Sequence, residues 1–222
     1  MEYLAALKEE MSLECRKQRD VRPYLMYLGY REHYDDVPTI SRAYACKSLF
    51  ENHKKKVFLH DLVAGSRYGL LMGEYEVSRG MMEKATRIAD SYGLRHFGQN
   101  ADHYAPDYGA FLSGGVGGVL ERIRRSMEKH GDDPDKSEFL KAAEIAMTAF
   151  GVMTAQYGEA ARQAAQNALG ESKRQLLCIA DICEKLKDRK PETFREALQL
   201  VWLVYIAFVY EGRYAMALGR MD

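Results

Sequence analysis

The chain has 222 residues, of which 47% are apolar, 11% aromatic and 29% charged, enough material for a substantial core under a well-solvated surface. Lys plus Arg and Asp plus Glu number 32 each, so the formal net charge is zero and gives no electrostatic reason for a nucleic-acid partner or an anionic membrane. The most apolar stretch, residues 200–210, is too short to span a bilayer. Four cysteines without a CxxC pair, and no basic leader followed by an apolar run, predict a cytoplasmic protein with reduced thiols.

Helical periodicity dominates from the start. Residues 2–19 predict a charged helix with Leu4, Leu7, Met11 and Cys15 on one side, interrupted by Pro23. A second helix is expected over 24–33. Pro38 opens a third, in which Ile40, Ala43, Tyr44, Lys47 and Phe50 step by three and four. Short apolar runs punctuated by glycine then predict a short strand or extended segment around 62–67. The stretch 73–107 is the least regular, with one helix expected at about 80–92.

Residues 108–130 read as a helix interrupted by Ser113-Gly114-Gly115-Val116-Gly117-Gly118. Asp133-Pro134 predicts the start of a long helix, with Asp as cap and Pro at the first helical position. Its expected buried stripe is Phe139, Ala143, Ala146, Phe150, Met153 and Tyr157. Further helices are expected over about 160–187. Thr193-Phe194-Arg195-Glu196 is a capping box that launches an apolar helix over 194–210. A strand is expected across Tyr214 to Gly219, directly before the terminal Arg220-Met221-Asp222.

Residue patterns alone announce no active site. The glycine cluster at 114–118 fails the GxGxxG pattern at Leu120, and no Lys-Ser or Lys-Thr follows it. Close helix packing or a tight turn is the favoured reading of those glycines. None of the six histidines has a Glu three residues before it, so a di-iron bundle is not supported. Cys178 and Cys183 lack a nearby His for zinc, and neither Ser66 nor Ser113 sits in Gly-x-Ser-x-Gly. No metal site is expected.

Two segments carry more than composition. His103-Tyr104-Ala105-Pro106-Asp107-Tyr108, followed by Phe111-Leu112, Gly115 and Gly117-Gly118, resembles a segment of the glycyl radical enzymes of the pyruvate formate-lyase type. The run from Arg174 to Asp222 resembles the same family, through Pro191, Thr193-Phe194, Glu196-Ala197-Leu198-Gln199 and Gly219-Arg220-Met221-Asp222. Asp61-Leu62-Val63-Ala64-Gly65-Ser66 is a weaker match in the same order.

The resemblance implies a mostly α chain with a few short strands, the N-terminal part of a ten-stranded α/β barrel wrapped in helices. It implies that residues 1–222 are one N-terminal portion of a single such domain. In the family, an activating enzyme that uses S-adenosylmethionine and an iron–sulfur cluster installs a radical on a glycine near the C-terminus. That radical oxidises a cysteine within the barrel, which abstracts hydrogen from a small organic substrate. The implied activity is a formate C-acetyltransferase or a dehydratase or lyase of anaerobic metabolism. The implied partners are a small-molecule substrate and the activating enzyme, with a homodimer in the full-length form.

Both radical residues are missing. No cysteine sits in Gly-Cys-x-Glu, and no Arg-Val-x-Gly-aromatic run occurs. Cys183 is followed by Glu184 but lies in a helical stretch. The expectation is therefore a chain truncated after Asp222, with no catalytic residue and no bound cofactor of its own, inactive alone. By the same resemblance, His103 is expected to face the substrate as a hydrogen-bond or proton-transfer group. Asp107 is expected to orient that segment or to reach the pocket, or else to cap the helix after it. Ala215 stands at a substrate-facing strand position where some dehydratases carry Ser, and it cannot hydrogen-bond a hydroxyl. Arg220 and Asp222 are expected to form an internal salt bridge. Glu211-Gly212-Arg213 departs from the family's Glu-x-Asn. The competing expectation is a stand-alone helical binding protein derived from the same family.

Overall fold

The computed structural model describes residues 2–15, 21–66, 79–91 and 100–219. Within them eight helices run in chain order: α1 Glu2–Cys15, α2 Arg22–Glu32, α3 Pro38–Asn52, α4 Arg79–Ser91, α5 Tyr108–His130, α6 Pro134–Gln166, α7 Gly170–Leu186 and α8 Phe194–Tyr210. Two short strands complete the described fold, β1 Asn100–Tyr104 and β2 Arg213–Met216.

Local chemistry accounts for most helix ends. Pro38 sits in the first turn of α3 and Pro134 in that of α6, where the missing N–H has no partner to lose. The Asp133 carboxylate accepts from the Lys136 N–H at 3.2 Å. At α8 the capping box is complete, with the Glu196 N–H donating to the Thr193 hydroxyl and the Thr193 N–H donating to the Glu196 carboxylate. Pro23 does not interrupt a helix. It lies in the first turn of α2, which therefore begins at Arg22 rather than at 24.

α6 is the spine, packed against α3, α5 and α7. Phe150, Met153 and Tyr157 of the expected stripe are buried. Phe139 is not, being 65% exposed; Ala142 is the first buried residue of α6. Leu4 of α1 is likewise 66% exposed. α8 is apolar almost all round and contributes Leu200, Leu203, Val204, Ile206 and Tyr210 to the core. Leu176, Ile179 and Leu186 of α7 close it on another side.

The interruption of α5 is real. Gly115 takes φ 65° and ψ −172°, and the helix kinks there. The kink lets the segment after α7 cross closely, so that the Gly117 N–H donates to the Asp188 carbonyl at 2.7 Å. A Cβ on Gly117 would stand 2.5 Å from that same carbonyl oxygen. Gly115 and Gly117 of the cluster thus admit close backbone packing.

Of the strand or extended segment expected around 62–67, no strand forms over the described residues 62–66. The segment finds a side chain instead of a partner strand. The Ala64 N–H donates to Gln199 Oε1 at 2.7 Å, and Gln199 Nε2 donates back to the Ala64 carbonyl at 3.0 Å. The Trp202 indole N–H donates to the Gly65 carbonyl beside it. One buried glutamine therefore satisfies the backbone as a neighbouring strand would.

β1 lies where the sequence reads as irregular. Asn-Ala-Asp-His-Tyr has no apolar alternation, and pairing with β2 rather than intrinsic propensity makes it a strand. Near 160–187, α6 runs on to Gln166, and residues 167–169 separate it from α7. Among the described residues no helix is long and apolar enough to cross a membrane, and no group of three or more His, Cys, Asp or Glu could hold a metal ion.

Candidate functional site

The candidate site forms where α8 ends. The Glu211 N–H bonds back to the Ala207 carbonyl, and Gly212 turns the chain at φ 83°, a left-handed value that suits glycine. The chain then enters β2, which runs parallel to β1. The helices from α5 to α8 form the crossover that a parallel pair requires.

The register brings the predicted positions together. Although far apart in sequence, His103 and Ala215 are Cα partners, as are Tyr104 and Met216. The Ala217 N–H donates to the Tyr104 carbonyl at 2.8 Å. Met216 packs against the helical core, and the Tyr104 ring lies 5.9 Å from that of Phe208. Alternation along β2 therefore turns half-buried Ala215 to the face away from the helices. Parallel strands are ordinarily covered on both faces.

The register itself can be tested. Neighbouring strands lie about 4.8 Å apart, inside the roughly 4.4–6.8 Å Cα separation that a disulfide spans. His103→Cys with Ala215→Cys is expected to cross-link on mild oxidation, shifting mobility on a non-reducing gel. Asp107→Cys with Ala215→Cys is expected not to. No cross-link in the first pair would contradict the register.

Asp107 takes the capping role. Its exposed carboxylate accepts from the Ala110 N–H at 3.0 Å and starts α5. Arg220 and Asp222, and with them the expected salt bridge, lie outside the described residues.

Behind the strands sits a polar cluster that sequence reasoning missed. Arg42 of α3 pairs with Glu211 at the end of α8. Tyr30 of α2 hydrogen-bonds Arg42, and burial raises its phenol pKa. Cys46, one turn along α3, lies beside Glu211; burial first and then the carboxylate's charge push its thiol well above the usual range. The partners are up to 181 residues apart, Tyr30 to Glu211, and only the departure at Glu211-Gly212-Arg213 marks the place in the sequence. Arg213 donates to the Tyr104 hydroxyl and lies 4.6 Å from its ring centroid, tying the start of β2 to β1.

The described free cysteines all lie on helices. Cys46 is on α3, and Cys178 and Cys183 are on α7. Burial lifts the Cys183 thiol to about 12.

The family model for pyruvate formate lyase-like proteins matches residues 72–222. Among curated relatives, trans-4-hydroxy-L-proline dehydratase of Clostridioides difficile is 36% identical over 94 residues, 41% of this chain and 12% of that protein. A probable dehydratase of Escherichia coli strain K12 is 28% identical over 161 residues, 70% of this chain and 19% of that protein. Among solved structures, the glycerol-bound form of the B12-independent glycerol dehydratase from Clostridium butyricum superposes with a TM-score of 0.77 at 18% identity, covering 95% of this chain and 34% of that one. A glycyl radical enzyme from Archaeoglobus fulgidus gives 0.70 at 23% identity, covering 96% and 36%. These likenesses establish the fold as the expected part of the larger barrel. The chain spans about a third of the length of the solved relatives and less of the curated ones.

Proposed function

The chain belongs to the pyruvate formate lyase-like family, and we propose that it serves as part of a glycyl radical dehydratase or lyase acting on a small organic substrate. In this reading residues 1–222 form one portion of a single barrel domain. β1 and β2 supply two strands of the substrate-side wall, with His103 as a hydrogen-bond or proton-transfer group and Ala215 beside it. The observation that carries the reading is the parallel register of His103 with Ala215. Asp107 contributes by fixing where α5 starts, directly after the segment that holds His103.

The dehydratase names of the curated relatives favour dehydration. Ala215 offers no hydroxyl to a substrate, which favours a subclass that does not bind its substrate there through a side-chain hydrogen bond. Formate C-acetyltransferase chemistry is the other family reaction compatible with an alanine at that position. In this reading the hydrogen abstraction would come from a cysteine thiyl, generated by a glycyl radical that an S-adenosylmethionine iron–sulfur activating enzyme installs. The residues of this chain do not fit the radical roles: no cysteine stands in Gly-Cys-x-Glu, and Cys183 is buried in a helix. Here the chain binds and orients substrate, and by itself does not turn it over.

The test is anaerobic incubation of the chain with an activating enzyme, S-adenosylmethionine and reductant, followed by electron paramagnetic resonance. No glycyl radical doublet is expected, and neither glycerol nor trans-4-hydroxy-L-proline should be consumed. A doublet or product from this chain alone would overturn the reading.

A further inference from the structure

The ladder between β1 and β2 is uneven. Asn100 stands opposite Arg213 and His103 opposite Ala215, so three steps along β1 match two along β2. Continued evenly from Asn100, the ladder would set Asp102, not His103, opposite Ala215. The extra residue makes a bulge, and β1 does not choose by itself where the bulge falls. Asn-Ala-Asp-His-Tyr has no apolar alternation to hold one register against the next. The choice matters chemically. An ionised aspartate only accepts hydrogen bonds, whereas a histidine can also donate one, so a shift of one residue would change what stands beside Ala215.

What holds the uneven register lies on the helix side of the strands. The Tyr104 ring lies 5.9 Å from that of Phe208, and its carbonyl accepts from the Ala217 N–H at 2.8 Å. Arg213 reaches back to the same tyrosine, donating to the phenol oxygen with its guanidinium 4.6 Å from the ring centroid. The base of that arm is itself fixed, by the turn at Gly212 and by the Arg42–Glu211 pair beside it. In the even ladder Tyr104 would stand opposite Ala217 instead of Met216. That moves its phenol about 3.3 Å further from Arg213, beyond hydrogen-bond range. We infer that Arg213, acting through Tyr104, is the positioning residue that seats His103 rather than Asp102 opposite Ala215. That role rests on the reading of His103 as a substrate-side group, yet register can be measured without turnover.

Cysteine cross-linking on the intact chain tests it, with the linked peptides identified by mass spectrometry to separate them from the native cysteines. His103→Cys with Ala215→Cys is expected to link at least about tenfold faster than Asp102→Cys with Ala215→Cys, the weight of one hydrogen bond to a charged group. Adding Arg213→Met, which keeps the length and removes the guanidinium, should bring the two rates within about threefold of each other. Tyr104→Phe, which keeps the ring and removes the hydroxyl, should narrow the ratio in the same direction. A merely structural contact would lower the urea midpoint and leave that ratio as it was. A ratio unchanged in either variant that folds, or equal rates for the two cysteine pairs before either is added, would overturn the assignment. A glycyl radical doublet or product from this chain would overturn the proposed function and leave the cross-linking result standing.

Discussion

Gly115→Ala is expected to destabilise the fold by about 3–5 kcal/mol, read as a lowered urea midpoint. Two costs add. The backbone at Gly115 holds φ 65° with ψ −172°, a region that a residue with a Cβ enters at about 1–3 kcal/mol. The new Cβ would also lie 2.4 Å from both the carbonyl carbon and oxygen of Arg189, and 2.5 Å from the Lys190 nitrogen. These are backbone atoms, so no side-chain rotation relieves the clash. The kinked α5 would have to move away from the segment after α7, loosening the Gly117-to-Asp188 hydrogen bond. Gly114→Ala is the control, because a Cβ there meets nothing within 4 Å. It should leave stability unchanged or raise it by up to about 1 kcal/mol through helix propensity. A Gly115→Ala midpoint matching that of Gly114→Ala would refute this account of the kink.

That contrast also shows which parts of the fold are legible in sequence. Asp133-Pro134 and the Thr193–Glu196 box are local chemistry, complete within four residues, and both work as read. The kink at Gly115 is legible as an interruption, but the backbone it admits belongs to Arg189 and Lys190, which no local pattern announces. β1 escapes because its residues are polar and its strand character comes from β2, beyond four intervening helices. The missing strand at 62–66 has the opposite cause: Gln199, more than 130 residues away, does the work of a neighbour. Phe139 misleads because periodicity marks a face of α6 without saying how far the neighbouring helices extend along it.

The candidate site follows the same division. Resemblance of the flanking motifs marks His103 and Ala215, and the parallel register brings those positions side by side. The Arg42–Glu211 pair could not be read, because charge pairing over long separation leaves no periodic trace.

Asp61→Asn is expected to stabilise the protein by about 2–4 kcal/mol at pH 8 and to have little effect at pH 4. Burial raises the Asp61 carboxyl from 3.8 to about 7, and nearby Glu10 adds to the rise, while the hydrogen bond from the Phe58 N–H opposes it. The folded state therefore holds a proton that the unfolded state has released between those two values. The contribution of Asp61 to stability is full below about pH 4, declines as pH climbs to about 7, and stays lost above that. Asparagine keeps an oxygen to accept from Phe58 and never ionises, so it removes the alkaline penalty. Lys55 complicates a single pH curve: burial lowers its ammonium to about 7, so its own contribution recovers as pH rises above that value. Differencing Asp61→Asn against the parent at each pH cancels Lys55, which both proteins share. Urea titrations of the two at pH 4, 6 and 8 measure the difference. A gain that is the same at pH 4 and pH 8 would mean that Asp61 is not a buried acid titrating near neutrality.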